Sequence, residues 1–155
     1  MNQPDYVYIT RAGLEKLKAE LKELKEAKRP ESAQKIKEAR DMGDISENSL
    51  YDSARQEQAL IEGRIAELED IIKHSKVSEG ATKDSVDVGC RVTVHIDGDE
   101  EEFHIVGPLE ADPMNRKISH QSPLGEALYG KKVGDKIEVE APVGILTYTI
   151  LTIKY

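Results

Sequence analysis

The 155-residue chain has no tryptophan, one phenylalanine and one cysteine. Aromatic residues make up only 5% of it, so any core must be modest and largely aliphatic. The lone Cys90 cannot close an internal disulfide and has no thiol partners for a zinc site. No apolar stretch approaches the ~20 residues of a membrane span. The opening Met-Asn-Gln-Pro-Asp-Tyr lacks the basic-then-apolar order of a signal peptide. These absences point to the cytoplasm and away from a membrane partner. His74, His95, His104 and His120 are scattered, with no spacing suited to a metal-ligand set.

Charge is what the chain has in excess. Charged residues are 34% of it and the net charge is −8, which argues against gripping nucleic acid with the whole surface. The charge is also unevenly placed. Residues 11–40 carry ten basic and six acidic side chains, residues 41–77 four and nine, and residues 78–155 eight and fourteen. A basic segment followed by an acidic one of similar length suits two helices folded back on each other.

Periodicity supports that pairing. Thr10 is a candidate N-cap, and Leu14, Leu17, Leu21 and Leu24 follow at heptad-like spacings, resuming with Ala33, Ile36 and Ala39. Pro30 interrupts the stripe, so a kink or break is expected there. Leu50, Ala54, Ile61, Ile65, Leu68 and Ile72 make the second stripe, and Gly43-Asp44-Ile45-Ser46 is the natural turn. Residues 1–77 therefore read as an antiparallel coiled-coil hairpin, with arms of about 45 Å for ~30 residues each.

Residues 78–89 are small and polar and read as a linker. Over residues 90–155 the period changes to two. Strands are expected at Arg91–Ile96, Phe103–Val106, Ile137–Val139 and Ile145–Ile153, with Asp97-Gly98 as a hairpin turn and a helical turn at Leu124–Tyr129. The fold class is α+β: a helical hairpin plus a small, mostly antiparallel sheet domain.

Asp44 and Glu47 lie in the hairpin turn and admit two readings. They form a capping box for the second helix, or they project as two oxygen ligands for a hard cation such as Mg²⁺. Ser46 is a rival cap, which would leave both carboxylates unengaged. Two carboxylates alone make a weak metal site unless another macromolecule supplies more ligands.

The run from Glu38 through Asp41, Met42, Gly43, Asp44, Ile45, Ser46, Glu47 and Asn48, continued by Tyr51 and Ala54-Arg55-Gln-Glu57-Gln58, resembles the hairpin-tip signature of the Gre transcript-cleavage factors. Ile61-Glu-Gly-Arg-Ile65 matches that family's second helix. Ile105-Val-Gly, Glu110-Ala-Asp112 and Ser122-Pro-Leu-Gly-Glu-Ala-Leu-Tyr-Gly130 resemble its second signature. The likeness runs from Thr10 to Tyr155.

The resemblance implies a factor that enters the secondary channel of bacterial RNA polymerase and stimulates the polymerase's own cleavage of backtracked RNA. Asp44 and Glu47 would position a Mg²⁺ shared with the polymerase, so the chain would complete an active site without being an enzyme itself. Arg40 and Arg55 occupy positions where the family places basic residues that meet the 3′ end of the backtracked RNA; otherwise they are solvated surface arginines. The small basic patch is closer to the GreA branch than to the GreB branch. The resemblance also implies an FKBP-like C-terminal domain, docking on the polymerase through Asp112, Ser122 and Pro123. Ser122-Pro123 can equally start the following helix, and the two roles are compatible.

Other classes predict different residues. A prolyl isomerase or chaperone needs an aromatic-lined pocket, for which this half offers only Phe103, Tyr129, Tyr148 and Tyr155. A channel-blocking inhibitor should depart from the Asp-x-Ser-Glu-Asn tip pattern, which is intact here. A stand-alone nuclease needs a base, a nucleophile or a closed metal cage, none of which is evident.

Overall fold

The computed structural model describes residues 6–43, 49–78 and 84–155. The chain divides into two compact units: Glu15–His74, and the segments before and after it.

The first unit is the helical hairpin. Helix α1 spans Arg11–Glu23 and α2 spans Arg29–Asp41. Between them Leu24–Lys28 forms a π-helical turn, in which the Arg29 N–H donates to the Leu24 carbonyl five residues back. The expected break at Pro30 is thus replaced by a local widening. Proline has no N–H for the carbonyl four residues earlier, and a wider turn absorbs that mismatch without interrupting the helix. Helix α3 spans Ser49–Lys73, about 38 Å at ~1.5 Å per residue.

Cross-arm pairs fix the antiparallel register. Arg29 grips Glu62 with two bonds of 2.7 and 2.8 Å, and Lys35 meets Glu57 at 3.2 Å. Arg64 on α3 grips Glu20 on α1 at 2.7 and 3.1 Å, a rung of reversed polarity. Each is solvent-accessible and contributes little to stability, so they select register more than they stabilise. Burial supplies the rest: Ser32, Ala39, Ala54, Ile65 and Leu68 are the buried residues of α2 and α3. Two stripe positions differ from expectation. Ala33 is exposed, and Leu50 is 58% exposed. Toward the turn the arms meet through the small Ala39 and Ala54, which leaves no room to enclose Leu50.

The second unit is built on a five-stranded sheet. Strands β3 (Arg91–Ile96), β4 (Asp99–Val106), β5 (Lys117–Ser119), β6 (Lys136–Ala141) and β7 (Gly144–Lys154) take the order β5-β4-β3-β7-β6. Every pairing is antiparallel except β4 with β5. Val92, Val94, Phe103, Ile105, Tyr148 and Ile150 alternate inward to make the core, which Leu128 of helix α4 (Pro123–Leu128) completes.

Two boundaries differ from the sequence reading. Strand β1 (Val7–Ile9) pairs in parallel with β2 (Ser75–Val77), and Ile9 is buried, so the chain's start belongs to the sheet unit. Of the linker expected over residues 78–89, residues 79–83 lie outside the described residues, and residues 84–89 are not a loose linker. Val86 and Val88 are each 1% exposed, and Ser85 bridges to Lys132.

The first turn of α1, up to Leu14, belongs to this unit. Thr10 caps it, accepting the Gly13 N–H at 3.0 Å. The Glu110 carboxylate accepts the Thr10 N–H at 2.9 Å, the Thr10 hydroxyl, and the Gly107 N–H at 3.3 Å. Gly107 is needed there, because a Cβ would lie 1.9 Å from the Tyr8 carbonyl oxygen.

Candidate functional site

Helix α2 ends at Asp41, and Gly43, at φ +109°, takes the left-handed conformation that suits the residue after a helix. Helix α3 resumes at Ser49. Asp44 and Glu47, the two acids singled out in the sequence, lie outside the described residues. The helices that flank them in sequence are described, and the pair has two different sides.

On one side, Ala33, Ile36 and Arg40 of α2 face Tyr51, Arg55 and Gln58 of α3 across a shallow groove. The spacings of three and four place each trio on one helix face. The structure therefore brings the two predicted arginines to a single groove. Tyr51 lines the same groove, and its ring centroid lies 5.9 Å from the Arg55 guanidinium carbon. Among the described residues neither Arg40 nor Arg55 has a carboxylate partner. The sequence reading of RNA contacts did not single out Tyr51 or Gln58. Their spacing of four and three about Arg55 was the available signal.

On the other side, Ala39, Met42, Leu50 and Ala54 line an apolar groove rimmed by Lys35, Glu38 and Glu57. Here the cation is engaged: Lys35 reaches Glu57 at 3.2 Å and Glu31 at 3.7 Å. Hydrogen bonding to Glu57 raises its pKa above the ordinary lysine value.

The predicted docking residues lie at the two ends of β5. Asp112 bridges in backbone to Lys117, and its carboxylate accepts the Asn115 amide at 2.6 Å. Ser122 caps α4 and Pro123 takes its first turn, as the sequence suggested. The Ser122 hydroxyl accepts the Gly125 N–H at 3.1 Å and donates to the Ser119 carbonyl at 2.7 Å. That hydroxyl is committed to its own loop, whereas Pro123 is exposed. Gly125 is also required, since a Cβ would lie 1.9 Å from the Ser119 carbonyl oxygen.

Among the described residues no group of three or more His, Cys, Asp or Glu side chains converges. Burial, and then Arg91 and Lys117, lower the pKa of His104 against an opposing pull from Glu110. No helix among the described residues is long and apolar enough to cross a membrane.

Comparison with known proteins agrees with the order of these features. The family model described as transcription elongation factor, N-terminal, matches residues 7–77, and that of transcription elongation factor, GreA/GreB, C-terminal, matches residues 81–155. Transcription elongation factor GreA of Thermoanaerobacter pseudethanolicus is 53% identical, covering 99% of each chain. That of Clostridium acetobutylicum is 50% identical, covering 99% of this chain and 100% of its own. Among solved structures, GreA factor homolog 1 of Thermus thermophilus is 30% identical over 97% of this chain and 99% of its own, with a TM-score of 0.45. Matched in both halves and along its whole length, this chain belongs to the GreA/GreB family of transcription elongation factors.

Proposed function

We propose that this protein binds RNA polymerase, inserts the hairpin tip into its secondary channel, and stimulates the polymerase's own cleavage of backtracked nascent RNA. The observation that carries the reading is the tip itself. In sequence an Asp44-Ile-Ser-Glu47-Asn segment joins α2 to α3, and those helices line a groove that presents two arginines without carboxylate partners among the described residues.

Within this reading Asp44 and Glu47 offer carboxylate oxygens to a Mg²⁺ shared with the polymerase. The donor set fits in kind, since hard oxygen ligands suit Mg²⁺ and one or two carboxylates are its usual protein contribution. It is incomplete in number, so the remaining ligands come from the polymerase and the RNA. When bound, such an ion supplies Lewis-acid stabilisation of the charge on the reacting phosphate oxygens. The chain's own part is to deliver two negative charges on a stiff support and to hold the RNA end with Arg40 and Arg55. The loop carrying Asp112, Ser122 and Pro123 docks on the polymerase rim, with Pro123 in contact and Ser122 shaping the loop from within. The protein is an activator without a complete active site of its own.

The test is RNA cleavage by a stalled, backtracked polymerase complex, with and without the protein. Asp44→Asn and Glu47→Gln keep size and some capping capacity but remove charge. Each is expected to reduce stimulated cleavage at least about a hundredfold, a typical loss for one electrostatic group at a reacting centre, while thermal unfolding and polymerase binding stay near wild type. A channel-blocking inhibitor would slow elongation and leave cleavage unstimulated. If both variants stimulate at the wild-type rate, the two acids are helix caps and the mechanism is wrong.

A further inference from the structure

Starting from the proposed function, we propose that the groove between Arg40 and Arg55 is a nucleotide seat. In it Tyr51 stacks against a base of the extruded RNA while the two guanidiniums hold flanking phosphates. Three features of the groove select this ligand class.

The first is the unspent charge. The pairs that link the arms engage Lys25, Arg29, Lys35 and Arg64, whereas Arg40 and Arg55 have no carboxylate partner among the described residues. A guanidinium without a counter-ion beside another is a phosphate site by its chemistry. The second is that the groove is not only cationic. Ile36 is half-buried with Ala33 beside it, and together with the half-buried Tyr51 ring they make a partly apolar cleft. Inorganic phosphate has no use for such a cleft, and an apolar protein segment would strand the two guanidiniums. A nucleotide uses both, because its base has an apolar π-face and its phosphate a charge. The third is Gln58, half-buried at the same groove, whose amide has no hydrogen-bond partner among the described residues. An amide offers one acceptor and two donors, which suits base edges of differing pattern.

The Arg55–Tyr51 contact, 5.9 Å from guanidinium to ring centroid, makes a ready platform. Arginine planes and tyrosine rings both stack on bases. Stacking on such a platform is tolerant of sequence, because every base has a π-face. The opposite groove has none of these features, since its lysine is already paired and no aromatic lines it. The backtracked RNA is therefore expected to pass along the Tyr51 side of the tip.

The experiment compares two backtracked complexes, one with ordinary RNA and one whose extruded nucleotides are abasic. The readout is the factor concentration giving half-maximal cleavage. Wild type is expected to need at least about five-fold more protein on the abasic RNA, the lower end of what one stacked base contributes. Tyr51→Phe should keep that ratio, and Tyr51→Leu should bring it to within about twofold of unity by losing sensitivity on ordinary RNA. Because each ratio is internal to one variant, partial unfolding lowers activity on both RNAs alike and does not imitate the result. The inference is overturned if wild type makes no distinction between the two RNAs, or if Tyr51→Leu retains the wild-type ratio. A wild-type protein that stimulates cleavage of neither RNA sinks the proposed function, and this inference with it.

Discussion

Replacing Glu110 by alanine measures how firmly the first turn of α1 is tied down. The carboxylate accepts the Thr10 N–H at 2.9 Å, the Thr10 hydroxyl, and the Gly107 N–H at 3.3 Å. Thr10 is only 8% exposed and Gly107 is buried, so water cannot readily replace the lost acceptor. A buried donor left without a partner costs about 1–3 kcal/mol, and the long bond to Gly107 counts at the low end. A carboxylate at a helix N-terminus adds about 0.3–1 kcal/mol. Since these contributions overlap, Glu110→Ala should cost about 2–4 kcal/mol. Gly13 supplies a second arm of the test. A Cβ at Gly13 would lie 2.1 Å from the Glu110 Oε1, so Gly13→Ala must push the carboxylate out of place. With Glu110→Ala already present nothing remains to push, and alanine gains up to about 1 kcal/mol over glycine in the helix. The same substitution should therefore destabilise one background and stabilise the other. Native-state hydrogen exchange at the Thr10 and Gly107 amides reads the local opening energy in all four proteins, without assuming that both units unfold together. A cost below about 0.5 kcal/mol for Glu110→Ala, or an equal loss from Gly13→Ala in both backgrounds, would refute the reasoning.

Gly125→Ala should cost about 1–3 kcal/mol by driving a methyl into the Ser119 carbonyl, and it should weaken polymerase binding by displacing Pro123. Gly63→Ala, where a Cβ meets nothing within 4 Å, is the control and should stabilise α3 by up to about 1 kcal/mol in thermal unfolding. Ser32→Ala should stabilise the hairpin by about 1 kcal/mol in thermal unfolding, because the 2%-exposed Ser32 hydroxyl has no partner among the described residues. Hydrogen bonding from Arg64 lowers the Glu20 pKa, so the pair's contribution is present above the unfolded-state value and lost as pH falls through the lower folded one. With Glu20 41% exposed that contribution is under about 1 kcal/mol, and Arg64→Ala should flatten the acid limb of helicity against pH.

Features carried by neighbouring residues were legible in the sequence. The leucine stripe from Leu14 to Leu24, the opposed charge of residues 11–40 and 41–77, and the later change to period two are local patterns, and the hairpin and the sheet strands follow them. Thr10 and Ser122 could be read as caps because a cap satisfies donors only three residues away. Other features depended on partners distant in sequence. Strands of three residues, such as β1, β2 and β5, carry too little pattern to be seen before their partners are known. Val86 and Val88 sit in a polar run, and only the fold shows that they are enclosed. The glycines at 107 and 125 look like any others until the carbonyls of Tyr8 and Ser119 arrive beside them. At the tip, sequence named Arg40 and Arg55, but which cations stay unpaired depends on cross-arm register, and register is set where Arg29, Lys35 and Arg64 find their acids. That pairing leaves Arg40 and Arg55 on the groove that Tyr51 also lines, because two antiparallel helices can align their charges in only one way at a time.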